Sequence, residues 1–95
     1  MDVANIVITA GTAAATSAAF TLAGEAKIIA GPLVEDEYVI LQEEYPDGTY
    51  KDAVDKAGTG VVLNSKQPSQ IVAGYGSYKL YKSITTGSCA VAVLT

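Results

Sequence analysis

The chain has 95 residues, with ten acids against six lysines, no arginine and no histidine, for a net charge of −4. That length is one small domain, and without clustered basic side chains it excludes DNA and RNA as direct ligands. A single cysteine, Cys89, excludes an internal disulfide and a Cys/His metal cage; with only 17% of residues charged, Ala, Ser, Thr, Gly and Tyr cover much of the surface, a composition suited to contact with other protein.

Met1-Asp2-Val3-Ala4-Asn5 carries an acid where a secretory signal carries lysine or arginine, so no signal peptide is expected. No run reaches the ~20 consecutive apolar residues that span a bilayer, and no membrane partner is expected. Val3 to Ala10 is rich in β-branched residues and ends at Gly11-Thr12, which predicts a first strand with Ile6 and Ile8 on one face and Val7 on the other. Thr12 to Gly24 is ambiguous: its alanines favour helix, whereas Phe20 and Leu22 alternate with Thr21 and Ala23. The alternation predicts a strand from about Ser17 to Ala23, with a short helix as the alternative.

Ala26 to Ala30 predicts a further strand, stopped by Gly31-Pro32. Glu37 to Glu44 places Tyr38, Val39, Ile40 and Leu41 in succession, so both faces of that strand are apolar. Tyr45-Pro46-Asp47-Gly48 is a turn signal, and Thr49 to Val54 is the returning arm of a hairpin. Gly60 to Asn64, Gln70 to Ala73, Ser77 to Ser83 and Cys89 to Leu94 complete the strands. Extended segments at this spacing, with turn residues between them, predict an all-β fold: an antiparallel β-sandwich, immunoglobulin-like or jelly-roll, of about seven to nine short strands. The expected organisation is an N-terminal strand or arm over residues 1–16, used in assembly contacts, and a sandwich domain over 17–95.

The chemistry-bearing residue types are sparse. Gly58-Thr59-Gly60 and Gly74-Tyr75-Gly76 lack the third glycine and the following helix of a dinucleotide loop, and read as turns. Glu35, Asp36, Glu37, Glu43 and Glu44 lack the spacing of a calcium loop and read as a solvated loop and strand ends. Serine and threonine hydroxyls have no histidine base; Lys66, Lys79 and Lys82 lie near Ser65, Ser77 and Ser83, but adjacent residues on a strand point to opposite faces. No catalytic residue, metal ligand or cofactor is expected, and the chain is read as a non-enzyme. Cys89 opens an apolar strand and reads as a small buried thiol, which fits a reducing compartment.

Six tyrosines, at 38, 45, 50, 75, 78 and 81, are the notable enrichment. Tyr78 and Leu80 share one strand face and leave Lys79 and Tyr81 on the other. An outward tyrosine can anchor a protein contact at low entropic cost or stack on a sugar.

Ala19-Phe20-Thr21-Leu22-Ala23-Gly24, Val39-Ile40-Leu41-Gln42, the Pro46-Asp47-Gly48-Thr49-Tyr50 turn and Gly76-Ser77-Tyr78-Lys79-Leu80 ahead of Thr86-Gly87-Ser88 resemble the small β-sandwich structural proteins of tailed bacteriophage virions, over about Ser17 to Leu94. Tyr50 and Lys79 stand where that group often carries tryptophan and arginine. The resemblance implies a virion protein assembled in the host cytoplasm, most simply a capsid decoration or cement protein that binds the major capsid protein or its own copies. A tail or head fibre component, or a small carbohydrate-binding module, is the alternative. An uncharged strand edge invites strand addition, so the expected protein interface comprises Val3, Ile6, Ile8, Tyr75 and Tyr81.

Overall fold

A computed structural model describes residues 4–54 and 60–95; Val3 and the Gly58-Thr59 turn lie outside the described residues. The chain is all-β and antiparallel. Its strands are β1 (Ala4–Gly11), β2 (Ala15–Thr16), β3 (Phe20–Gly31), β4 (Tyr38–Glu44), β5 (Tyr50–Asp52), β6 (Val62–Asn64), β7 (Ser69–Lys82) and β8 (Cys89–Leu94). They form one eight-stranded sheet in the order β1-β8-β3-β7-β4-β5, with β2 beside β7 and β6 beside β4. Among the described residues the sheet does not close. It folds over so that β1, β8 and the end of β3 make one layer, and the end of β7 with β4, β5 and β6 makes the other. The sandwich-like arrangement matches the expected class, with one sheet supplying both layers.

The link between layers is the pair of long strands. β3 and β7 pair without interruption from Phe20↔Tyr78 to Ile29↔Ser69. Two breaks expected from glycine, at Gly24 and at Gly74-Tyr75-Gly76, are therefore absent. Gly24 sits at φ 129° opposite Gly74, and Gly76 at φ 126° opposite Leu22. L side chains rarely adopt such angles, so these glycines bend the ladder where other residues would resist, and the strands turn a corner instead of stopping. The Thr12–Gly24 segment holds the short strand β2 and the start of β3; Ser17 to Ala19 connect them outside any strand.

The β4–β5 hairpin follows its turn signal closely. Tyr45 and Gly48 N–H groups donate to the carbonyls of Thr49 and Tyr45, both at 2.8 Å. Gly48 takes φ 86°, and the Asp47 carboxylate accepts the Thr49 N–H at 3.0 Å and its hydroxyl at 2.6 Å. Those two bonds hold the Asp47 carboxyl below its ordinary pKa, the hydroxyl of Thr49 being the larger influence.

The core takes alternate residues from every long strand. Across the first layer Ile8, Val91 and Ala30 lie opposite one another, and Leu41 faces Leu80 in the second. Ile28, Val39, Leu63, Leu80 and Val91 are fully buried, each side chain contributing about 1.5–3 kcal/mol by leaving water. Cys89 is buried with them, and burial pushes its thiol pKa up, as expected for a packed and unreactive cysteine.

One end of the core is polar. Lys82 continues the inward period of Tyr78 and Leu80 and is 1% exposed. Its Nζ donates to the carbonyls of Ala13 at 2.6 Å and Gly11 at 3.2 Å, with longer contacts to the Ser83 carbonyl and the Thr85 hydroxyl, both at 3.4 Å. The ammonium thus ties the segment after β1 to the end of β7. Glu37, expected to be solvated, is buried instead. Its carboxylate accepts the N–H of Val34 at 2.9 Å and of Thr86 at 2.6 Å, clasping two loops, while Glu35 and Asp36 stay exposed. The Val34 N–H is the largest influence on Glu37, and the net effect sets its pKa below the ordinary 4.5. A depressed carboxyl pKa stabilises the fold above the unfolded value and loses that contribution as pH falls through the folded one. Acid titrations of stability are therefore expected to show a loss below about pH 4.5 that is smaller in Glu37→Gln. Parallel curves for the two proteins would exclude this clasp.

Candidate protein-docking face

The candidate site is the outer face of the first layer. Directly opposed residues of an antiparallel pair share a face. Ile6 opposes Ala92 and Ala92 opposes Ile29, while in the adjacent row Leu94 opposes Lys27 and Lys27 opposes Ile71. The registers therefore place Ile6, Ala92, Ile29, Leu94 and Ile71 on one continuous outward surface. Ile6 is 68% exposed, Ile71 56% and Ile29 38%, with Ala92 and Leu94 half-buried. Further along β7, Ala73 and Tyr75 keep the same alternation, and Tyr75, 82% exposed, stands at the glycine corner. Lys27 is the one charged side chain within these two rows. Scattered apolar side chains on a surface need no explanation, but several aligned by register on one sheet face make a candidate contact surface.

The structure divides the residues that the sequence singled out. Val3 lies outside the described residues, and Ile6 and Tyr75 are on this face. Ile8 is not: it is 5% exposed and belongs to the core. The expectation that Ile6 and Ile8 share a face is corrected by a bulge. Ile6 pairs with Ala92 and Ile8 with Val91, so two steps along β1 meet one step along β8, and the alternation flips at Val7. Val7 is half-buried against the core. The strand is built into the sheet along β8, and its large exposed apolar side chain among the described residues is Ile6.

Tyr81 lies on the opposite side of the molecule, on the outer face of the second layer. It opposes Ile40 on β4, which opposes Val62 on β6. The rings of Tyr81 and Tyr38 are 6.2 Å apart, tilted by 43°. Beside them a shallow depression of about 550 Å³ is floored by Tyr38, Ile40 and Val62 and rimmed by Glu35, Asp36 and Lys66. The expectation that both faces of β4 are apolar holds: Val39 and Leu41 are core, and Tyr38 and Ile40 look outward. Tyr50 is held in place, its hydroxyl 2.7 Å from the Ser77 Oγ and the Lys79 ammonium 4.3 Å over its ring.

Ile29 and Ile71 were not singled out from sequence. The available signal was the pair Ile28-Ile29: consecutive large apolar residues in a strand must face both ways, and Ile28 is fully buried. Among the described residues no three His, Cys, Asp or Glu side chains gather as a metal site. No family model, curated protein or solved structure matches the chain.

Proposed function

We propose that the chain is a non-enzymatic structural protein of a virus particle, a decoration or cement protein that binds a capsid protein or its own copies. The observation that carries the assembly role is the register-aligned row Ile6–Ala92–Ile29, continued by Leu94 and Ile71, on an outer sheet face. A surface of this kind gains by being covered: burying it against protein removes apolar area from water at about 25 cal/mol per Å². The virion setting is supported by the resemblance of the strand and turn sequences to phage sandwich proteins.

The test is fractionation of purified particles. The wild-type chain is expected to stay with the particles, and Ile29→Lys/Ile71→Lys, with unchanged circular dichroism, to move to the supernatant. A wild-type chain recovered wholly in the supernatant, or a double variant that stays bound, contradicts the proposal.

The Tyr38–Tyr81 pair beside its acid-rimmed depression favours one second reading, a glycan stacked on tyrosine. Titration with glycans should then quench tyrosine fluorescence, and a silent titration removes this reading.

A further inference from the structure

We propose that β1 is an open edge through which two copies of this chain join, antiparallel about a two-fold axis, so that one sheet continues into the next. The proposal deepens the assembly reading above by committing to a second copy as the occupant of one edge.

The two ends of the strand path differ in kind. At one end lie β5 and β6, three residues each, with the exposed charges Lys51 and Asp52 on β5. Short, charged edge strands are the usual protection against further pairing. At the other end lies β1, eight residues without charge or proline, which among the described residues is hydrogen-bonded to β8 on one side only. Outside its two register shifts with β8, between Ile6 and Ile8 and between Ile8 and Gly11, alternate residues of this strand direct N–H and C=O outward, a template for another strand.

The charge distribution selects the occupant. The net charge of −4 opposes contact between copies over most of the surface. The acids of the described residues sit elsewhere: Glu25 on β3, Glu35 to Glu37 ahead of β4, Glu43 and Glu44 on β4, and Asp47 and Asp52 in the hairpin. β1 and β8 carry no charged side chain at all. An antiparallel pair of β1 strands therefore sets no like charges opposite each other, a juxtaposition that would oppose pairing. A charged partner, in contrast, would find nothing on this edge to read. The bulge at Val7 adds to the fit. It leaves Ile6 facing outward at the edge, so a two-fold brings both Ile6 side chains to the junction and merges the outer faces into one broader surface.

Sedimentation velocity across a concentration series tests this. The wild-type chain is expected to run as a concentration-dependent dimer. Ile6→Lys, a change at a residue 68% exposed and thus compatible with folding, is expected to weaken dimerisation at least tenfold. Ile29→Lys, two strands in from the edge on the same face, is expected to leave the dimer intact, which separates edge pairing from stacking of faces. A monomeric wild-type chain, or equal loss in both variants, overturns the edge proposal. A monomer that still fractionates with particles overturns it alone; a dimer that never does leaves the edge standing and sinks the particle reading.

Discussion

Lys82→Met is expected to cost about 1–3 kcal/mol of folding stability, a sizeable share of the ~5–15 kcal/mol that holds a small domain together. Methionine keeps the length and apolar stem of lysine but removes the donors, so the Ala13 carbonyl loses its partner and the Gly11 carbonyl keeps only the Thr85 hydroxyl. An orphaned acceptor costs roughly 1–3 kcal/mol, and the segment between β1 and β2 loses its anchor to β7. Lys66→Met, at an exposed loop position, serves as the control and is expected to change stability by no more than about 0.5 kcal/mol. Urea melts of both variants decide the point: equal, small shifts would mean that the buried ammonium does not fasten the N-terminal segment.

Gly74→Ala is the second large effect expected, about 2–4 kcal/mol, and its cause is steric. The Tyr78 ring lies over Gly74, so that an added Cβ would meet the Tyr78 hydroxyl and come within 2.9 Å of ring carbon Cζ. Tyr78 cannot swing away freely, because it is buried and stacked against Phe20 with centroids 6.4 Å apart. The alanine therefore displaces the ring from the core. Tyr78→Leu shortens the side chain and relieves the clash, so the double variant Gly74→Ala/Tyr78→Leu is expected to be more stable than the sum of the single changes. Additive losses in the double-mutant cycle would show that the two positions do not interact.

How far the fold could be read from sequence depended on whether the controlling contact was local. Tyr45-Pro46-Asp47-Gly48 carries its whole geometry in adjacent residues, and Cys89, Val91 and Val93 announce a core-facing strand by period alone. Continuity of β3 and β7 was not legible, because a glycine that ends a strand and one that bends it look alike until the partner glycine is known, and Gly24 faces Gly74 fifty residues away. The flip at Val7 was hidden for the same reason: a bulge is a mismatch in count between β1 and β8, a property of neither strand alone. Glu37 read as solvated because long charged side chains usually are, and nothing beside Lys82 in the chain marks it as buried. Their burial depends on acceptors and donors distant in the chain, such as the Ala13 carbonyl 69 residues from Lys82 and the Thr86 N–H 49 from Glu37.

The site divides along the same line. Tyr75 was legible as a tyrosine flanked by glycines that cannot cover it, and Ile6 as part of an uncharged strand. Ile29 and Ile71 become neighbours of Ile6 only once β8 is inserted between β1 and β3 and β7 is laid beside them. That arrangement turns isolated exposed isoleucines into one surface.

Hydroxyl-radical footprinting of the free chain and of the chain bound in its particle tests the central claim most directly. The account predicts strong protection of Ile6, Ile29, Ile71 and Tyr75 in the bound state, with Tyr45 at the hairpin turn oxidised equally in both. Unchanged oxidation of the isoleucine face on binding, with protection confined to the hairpin side, would contradict it.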